Sequence, residues 1–598
     1  GDSTRDARGG RVMEGAGEDP YLGSVVAAAR VKGFQGNDLS SPNSVAACAK
    51  HFAAYGFAES GRDYNTVDIG ENTLHNVVLP PFKAAADAGV RTFMNAFNEL
   101  NGIPATADKI LQRDILKGEW GFDGFIVSDW GSLKEMVDHG YARDKNHAGE
   151  LGLNGGSDMD MESYIYLTEL QSLLKDGLVT MSQIDDAVRR ILTVKYELGL
   201  FDDPFRYCDT IREKEITGSP EIRAGALDMA KKSIVLLKND DAVLPLKKGG
   251  QTVALIGPLA ADKNSPLGNW RIAGENNSAI SVLEGMLKYD GNTIIHEQGV
   301  KLVNAIPAFH QEVDINTTDK GGMKAAKNAA KNADVVVMVL GEYGFQSGEG
   351  RSRSKLDLPG FQQELLEEVY SVNKNIVLVL MNGRPLVLNW ADEHLPAIVE
   401  AWHLGTESGN AIAEVLYGDY NPSGKLPMSF PRSVGQMPLY YNYKNTGRPG
   451  AKGADAGSVF WSHYGDEKNT PLYPFGYGLS YTEFEYSDIT LSKSELDNGT
   501  KIEASVTLTN IGKVKGKEVV QMYIKDHYAS VTRPVRELKD FELVELEPGE
   551  SKQIIFEITP ETLQFYSANK KWESEPGTFS LFIGTNSNTI RSIDFKLK

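Results

Sequence analysis

The residues best suited to chemistry fall in three short stretches. In Val127-Ser128-Asp129-Trp130 a carboxylate ends an apolar run and an indole follows it. A carboxylate is costly to bury unless something pairs or uses it. Used, it is a nucleophile or a partner for developing positive charge. The same Asp129 could instead cap a helix opening at Gly131-Ser132-Leu133, and position alone does not separate the two accounts. Trp130 offers a flat apolar face that suits a sugar ring, and it fits a core position equally well. Lys50-His51 closes another apolar run. The pair can donate to hydroxyls and hold a nearby carboxylate ionised, or form a structural ion pair. Glu349 lies in the Gly-rich stretch 341–350. Two carboxyl groups, one ionised and one protonated, are what cleavage of a glycosidic bond needs, at about 5–5.5 Å when configuration is retained. On composition alone, a solvated charge cluster with Arg351 and Arg353 is the simpler account of Glu349.

The elements that must position these groups follow from periodicity. Up to about residue 208, strand patterns alternate with amphipathic helices. Strands are expected at Val45–Tyr55, Arg91–Phe97 and Gly124–Trp130, and helices at Thr73–Gly89, Ala107–Gly118, Tyr166–Asp176 and Met181–Leu198. Strands separated by helices imply a parallel sheet. Polar residues gather at the strand C-termini, where a (β/α)₈ barrel carries its site. Only about four strand–helix units are visible, whereas a full barrel takes about 250 residues and eight units. The expectation is an N-terminally incomplete barrel over 1–208, continuing a segment that precedes Gly1. After a linker at 209–224, a second α/β domain is expected at 225–425, because 252–257, 335–340, 376–381 and 398–402 read as buried parallel strands. An ordered connector rich in Pro, Gly, Tyr and Asn follows at 426–482. Closely spaced alternating strands then predict a β-sandwich at 483–598.

A net charge of −19 disfavours nucleic acid and anionic lipid as partners. No apolar run of about 18 residues spans a membrane. Cys48 and Cys208 give no disulfide framework, and Cys48 is expected to be buried in Val45-Ala46-Ala47-Cys48-Ala49. The ten histidines show no zinc spacing. No phosphate loop and no Gly-x-Ser-x-Gly elbow is present. No metal or organic cofactor is expected.

Longer motifs point further. Arg5-Asp6-Ala7-Arg8-Gly9-Gly10-Arg11, Gly17-Glu18-Asp19-Pro20-Tyr21-Leu22, Lys50-His51-Phe52-Ala53-Ala54-Tyr55-Gly56, Val127-Ser128-Asp129-Trp130, the run 418–427 and the run 474–481 together resemble glycoside hydrolase family 3, in its three-domain bacterial β-glucosidase form. The resemblance covers essentially the whole chain. It implies a (β/α)₈-type barrel, an α/β sandwich domain and a C-terminal fibronectin type III-like domain. It also implies a retaining, exo-acting enzyme that takes terminal β-D-glucosyl residues from β-linked oligosaccharides or glycosides without a cofactor. In this reading Asp129 is the nucleophile and Glu349 the acid/base. Arg11, Lys50 and His51 bind sugar hydroxyls, Trp130 and Phe97 line the site, and Asp158 shapes its base. A periplasmic or secreted location goes with the same resemblance; apart from it, the connector and the sandwich are the candidate surfaces for a homodimer, with no particular residues pointing to one.

Two positions depart from the family's pattern. Arg8-Gly9-Gly10-Arg11 lacks the family's Trp, and Phe97 stands where a site Tyr is usual. The segment expected before Gly1 normally supplies an Asp that grips the far side of the sugar. Some family members are N-acetylhexosaminidases that carry a second His in the Lys-His run. Here Tyr55 follows Ala54 with no such His, which favours a hexosidase with a Glu acid. A β-xylosidase of the same family, and a non-catalytic carbohydrate-binding scaffold with an incomplete barrel, are the alternative readings.

Overall fold

The computed structural model describes residues 2–449 and 459–598. The chain divides into two compact units, one of residues 2–9 and 14–216, the other of 10–13 and 217–598.

In the first unit, strands β1 (Cys48–Phe52), β2 (Thr92–Asn95) and β3 (Phe125–Val127) pair in parallel in that order. A parallel bridge between Val127 and Met159 extends the sheet by one more segment. The strands are held from outside by helices. Phe52, Phe82, Phe93, Leu111, Leu116 and Ile126 form a core between the two layers. The helix Leu79–Asp87 is preceded by a π-helical turn at Leu74–Val78. Pro80 and Pro81 supply no N–H to the ladder, so the turn before them widens and Leu79 N–H reaches back to Leu74 O. Helix Met181–Glu197 opens on a capping box between Thr180 and Gln183.

Several sequence expectations change. Cys48 is exposed rather than buried, because along β1 it faces away from the side on which Ala47 and Ala49 are covered. Two helices were not expected, Pro20–Gln35 and Lys145–Gly155, whereas Ser132–Asp138 is the helix whose entry was read at Gly131-Ser132-Leu133. The stretch expected as a linker at 209–224 is helical in part, with Thr210–Ile216 and the opening turn of Pro220–Ser233.

The second unit is built on a six-stranded sheet of β4 (Val235–Asn239), β5 (Gly249–Ile256), β6 (Gly291–Glu297), β7 (Val335–Gly341), β8 (Ile376–Met381) and β9 (Ala397–Glu400). Their spatial order is β4-β9-β8-β7-β5-β6, with only β4 antiparallel to its neighbour. Every residue of β7 and β8 is buried, as expected for parallel strands covered on both faces. A separate apolar core lies on each side of the sheet.

The last part of this unit is the fibronectin type III-like sandwich. One sheet pairs Ile502–Asn510 with Ser551–Ile558, and the other centres on Gly516–Asp526 between Glu537–Leu546 and Gly577–Gly584. The connector is tied to it: Tyr441 stacks on Phe475 at 4.6 Å and accepts the Leu538 N–H at 2.7 Å. Gln521 donates to Gly476 O at 3.0 Å.

Candidate active site

Asp129 lies two residues past the end of β3, and its carboxylate is buried, with 6% of the residue exposed. Oδ1 accepts the Trp130 N–H at 2.7 Å, and Oδ2 lies 3.7 Å from His51 Nε2. Helix Ser132–Asp138 opens at Gly131, in the left-handed region, with no side-chain cap. The carboxylate is therefore not spent on capping. It faces an imidazole from β1 instead.

His51 is held from its other side by Asp2. The Asp2 carboxylate accepts the His51 backbone N–H at 2.8 Å and lies 3.4 Å from Nδ1. Burial, the largest single influence, pushes the Asp2 carboxyl up, but the hydrogen bonds from His51 and nearby positive charge together leave it below the usual carboxylate range. With an anion fixed at Nδ1, the ring orientation that aims Nε2 at Asp129 is set. A neutral imidazole has one N–H to give and an imidazolium has two. Tyr55 packs edge-on against the same ring at 5.4 Å. Lys50, the preceding residue of β1, is half-buried.

Asp158 is buried beside β3. Its Oδ1 accepts from Lys117 Nζ at 2.7 Å, and Oδ2 accepts the Ile126 N–H of β3 at 2.8 Å. It holds the strand that leads to Asp129. Trp130 is 63% exposed and so is not a core tryptophan. Phe97 is buried against Tyr55 and Tyr64, with ring centroids 6.1 and 5.2 Å away.

In the second unit, Glu349 sits on the loop that follows β7. It is not the centre of a cluster with Arg351 and Arg353. Arg351 donates to the Phe309 and Gln311 carbonyls, and Arg353 pairs with Glu342. Glu349 faces Arg11 instead, with Oε1 at 3.4 Å from the guanidinium. Arg11 belongs to the segment 10–13 that packs within this unit. The Gly348 N–H donates to Gly10 O at 2.7 Å. A Cβ on Gly10 would stand 2.2 Å from Gly348 O, so the motif 8–11 needs a glycine there. Trp270 lies under Arg11 at 5.9 Å.

Sequence reasoning missed Asp2, which holds His51 in the first unit, and Trp270, which lies by Arg11 in the second. Neither sits in a patterned run, and their partners are distant in the chain. Among the described residues, no group of three or more His, Cys, Asp or Glu is arranged to hold a metal ion, and no helix is long and apolar enough to cross a membrane.

Residues 2–194 match the glycosyl hydrolase family 3 N terminal domain, 234–481 the family 3 C-terminal domain, and 518–587 a fibronectin type III-like domain. A periplasmic beta-glucosidase of Salmonella typhimurium is 45% identical over 100% of this chain and 79% of its own length. A beta-xylosidase of Formosa agariphila is 41% identical over 99% of this chain and 82% of its own length. Among solved structures, a beta-glucosidase from Listeria innocua in complex with isofagomine superposes with a TM-score of 0.93 at 40% identity, covering 100% of this chain and 81% of that one. On the span and identity of these matches, the chain belongs to glycosyl hydrolase family 3.

Proposed function

We propose that the chain removes terminal non-reducing β-D-glucosyl residues from β-linked oligosaccharides or glycosides, with retention of configuration. An Asp129 oxygen attacks the anomeric carbon as the bond to the leaving oxygen breaks. Glu349 gives that oxygen its proton, and a glycosyl ester on Asp129 forms. Glu349, now a carboxylate, takes a proton from water as the water attacks the same carbon and releases Asp129. Arg11, Lys50 and His51 bind sugar hydroxyls. Trp130 and Phe97 give apolar faces to the ring, and Asp158 fixes the floor.

The observation that carries this reading is the state of Asp129: a buried carboxylate at the end of a parallel strand, not used as a helix cap and turned toward His51. The beta-glucosidases among the relatives support glucose as the sugar. The Formosa agariphila relative supports a second reading, β-xylosidase. A panel of nitrophenyl β-glycosides separates the two, with the glucoside expected to be the better substrate. Trapping with a 2-fluoro-glucoside is the mechanistic test. Label is expected on Asp129, and label on another residue refutes the assignment. The name of the Salmonella relative supports a periplasmic location.

A further inference from the structure

The loop that carries Glu349 contains Gly344, Gly348 and Gly350. Such a segment has no strong backbone preference of its own, yet an acid/base must be held to within a fraction of an ångström. The fixing contacts come from the turn after β8. Arg384 is fully buried, and its Nη2 donates to Gln346 O at 2.5 Å and to Arg351 O at 2.8 Å. These two carbonyls bracket Glu349 in sequence. Arg384 Nε lies 2.9 Å from Glu342 Oε1. Glu342, also fully buried, receives Arg353 at 2.8 Å and the Gly383 N–H at 3.1 Å. Burial alone would push the Glu342 carboxyl up, and the two guanidinium groups hold it below the usual range.

A buried ion pair of this kind gains little over apolar packing, so stability is a poor reason for an arginine here. Geometry is a better one. The guanidinium is a planar fork with donors in fixed directions. One edge reads Glu342, and Nη2 ties the two ends of the loop together. A lysine is charged but cannot span the same set.

We propose that Arg384 is a positioning residue for Glu349: it clamps the loop at Gln346 and Arg351 so that the carboxyl between them is held in its working place. This rests on the reading of Glu349 as the acid/base. The consequence is selective. Displacing an acid by about 1 Å costs roughly a hundredfold, but only where the leaving group needs a proton.

The test uses the full chain with Arg384→Lys and two substrates. For an alkyl β-glucoside, kcat/KM should fall about a hundredfold. For 2,4-dinitrophenyl β-glucoside, whose phenolate leaves unprotonated, the first-step rate should fall by less than about fivefold. Hydrogen exchange in 344–353 should quicken. Equal losses on both substrates, or unchanged exchange in that segment, overturn the proposal. If Arg384→Lys does not fold, Glu342→Gln, which keeps the volume and removes the anion that anchors the clamp, is read in the same way. Glu349→Ala serves as the separate control. Losing leaving-group dependence and azide rescue in that variant defeats the acid/base reading, whereas the exchange result in Arg384→Lys still decides the clamp.

Discussion

Replacing Lys117 by Met strands a buried anion beneath the strand that leads to Asp129. Lys117 Nζ lies 2.7 Å from Asp158 Oδ1, with side chains 6% and 3% exposed. The other Asp158 oxygen grips the backbone of β3 at Ile126. Burial pushes the Asp158 carboxyl up and the Lys117 ammonium down, and in each case the partner opposes the shift. Removing Lys117 leaves Asp158 with the cost and without the relief. Breaking such a pair from one side costs about 3–5 kcal/mol. At about 1.4 kcal/mol per decade this is roughly two to three and a half decades in an opening equilibrium. Amide hydrogen exchange over residues 120–131, corrected for intrinsic rates, reads it directly. The pH dependence has a definite sign. In Lys117→Met the folded-state pKa of Asp158 stands further above its unfolded value, so the folded state binds the proton more tightly. The stability this contributes is present below the unfolded pKa and lost as pH rises through the folded one. The defect should thus be small near pH ~4 and full near pH ~8. Adding Asp158→Asn, which removes the charge and keeps an acceptor for Ile126, should recover most of the loss. A deficit of equal size at both pH values, or unchanged protection at the higher one, would refute this account of the pair.

Three further outcomes follow from the geometry. Trp130→Ala removes a side chain that is 63% exposed, so stability should change by no more than about 0.5 kcal/mol while KM for a β-glucoside rises severalfold; unchanged KM would remove Trp130 from the binding surface. Gly348→Ala places a Cβ 2.3 Å from Asn269 Cγ at a φ of +103°, so kcat should fall about a hundredfold with circular dichroism unchanged, and retained turnover would show that the loop tolerates the shift. Asp526, in the sandwich, is pushed up to about 6 by burial, against the pull of Arg533. Its folded pKa exceeds its unfolded one, so its stabilising effect is lost as pH rises toward that value. Asp526→Asn should therefore flatten the fall in melting temperature between pH ~4 and ~6, and an unaltered slope would contradict the shift.

How much of this was legible in the sequence depends on which interaction fixes each element. β7 and β8 read clearly because strands buried on both faces must be continuously apolar. The sandwich strand Ile502–Asn510 read clearly because one face is buried and one is not, which forces alternation. β1 was expected over Val45–Tyr55 but spans Cys48–Phe52, since pairing with β2 sets its ends, not the length of the apolar run. Helix Lys145–Gly155 was invisible because its glycines look like breakers. Its packing requires them: a Cβ on Gly149, Gly152 or Gly155 would meet Ile165 at 3.0 Å, Leu133 at 2.2 Å and Ala107 O at 2.6 Å. Tertiary contact there overrides propensity. The candidate site divides along the same line. Asp129 and Glu349 could be picked out as carboxylates in unusual places, but not separated from a helix cap and a charge cluster. What separates them is a partner far along the chain, His51 for one and Arg11 for the other. A local stretch specifies which groups are available. Only the packing of strands and loops that are remote in sequence decides which of those groups face each other, and that is also why Asp2, a single acid in an unpatterned opening segment, gave no signal before its contact with His51 was seen.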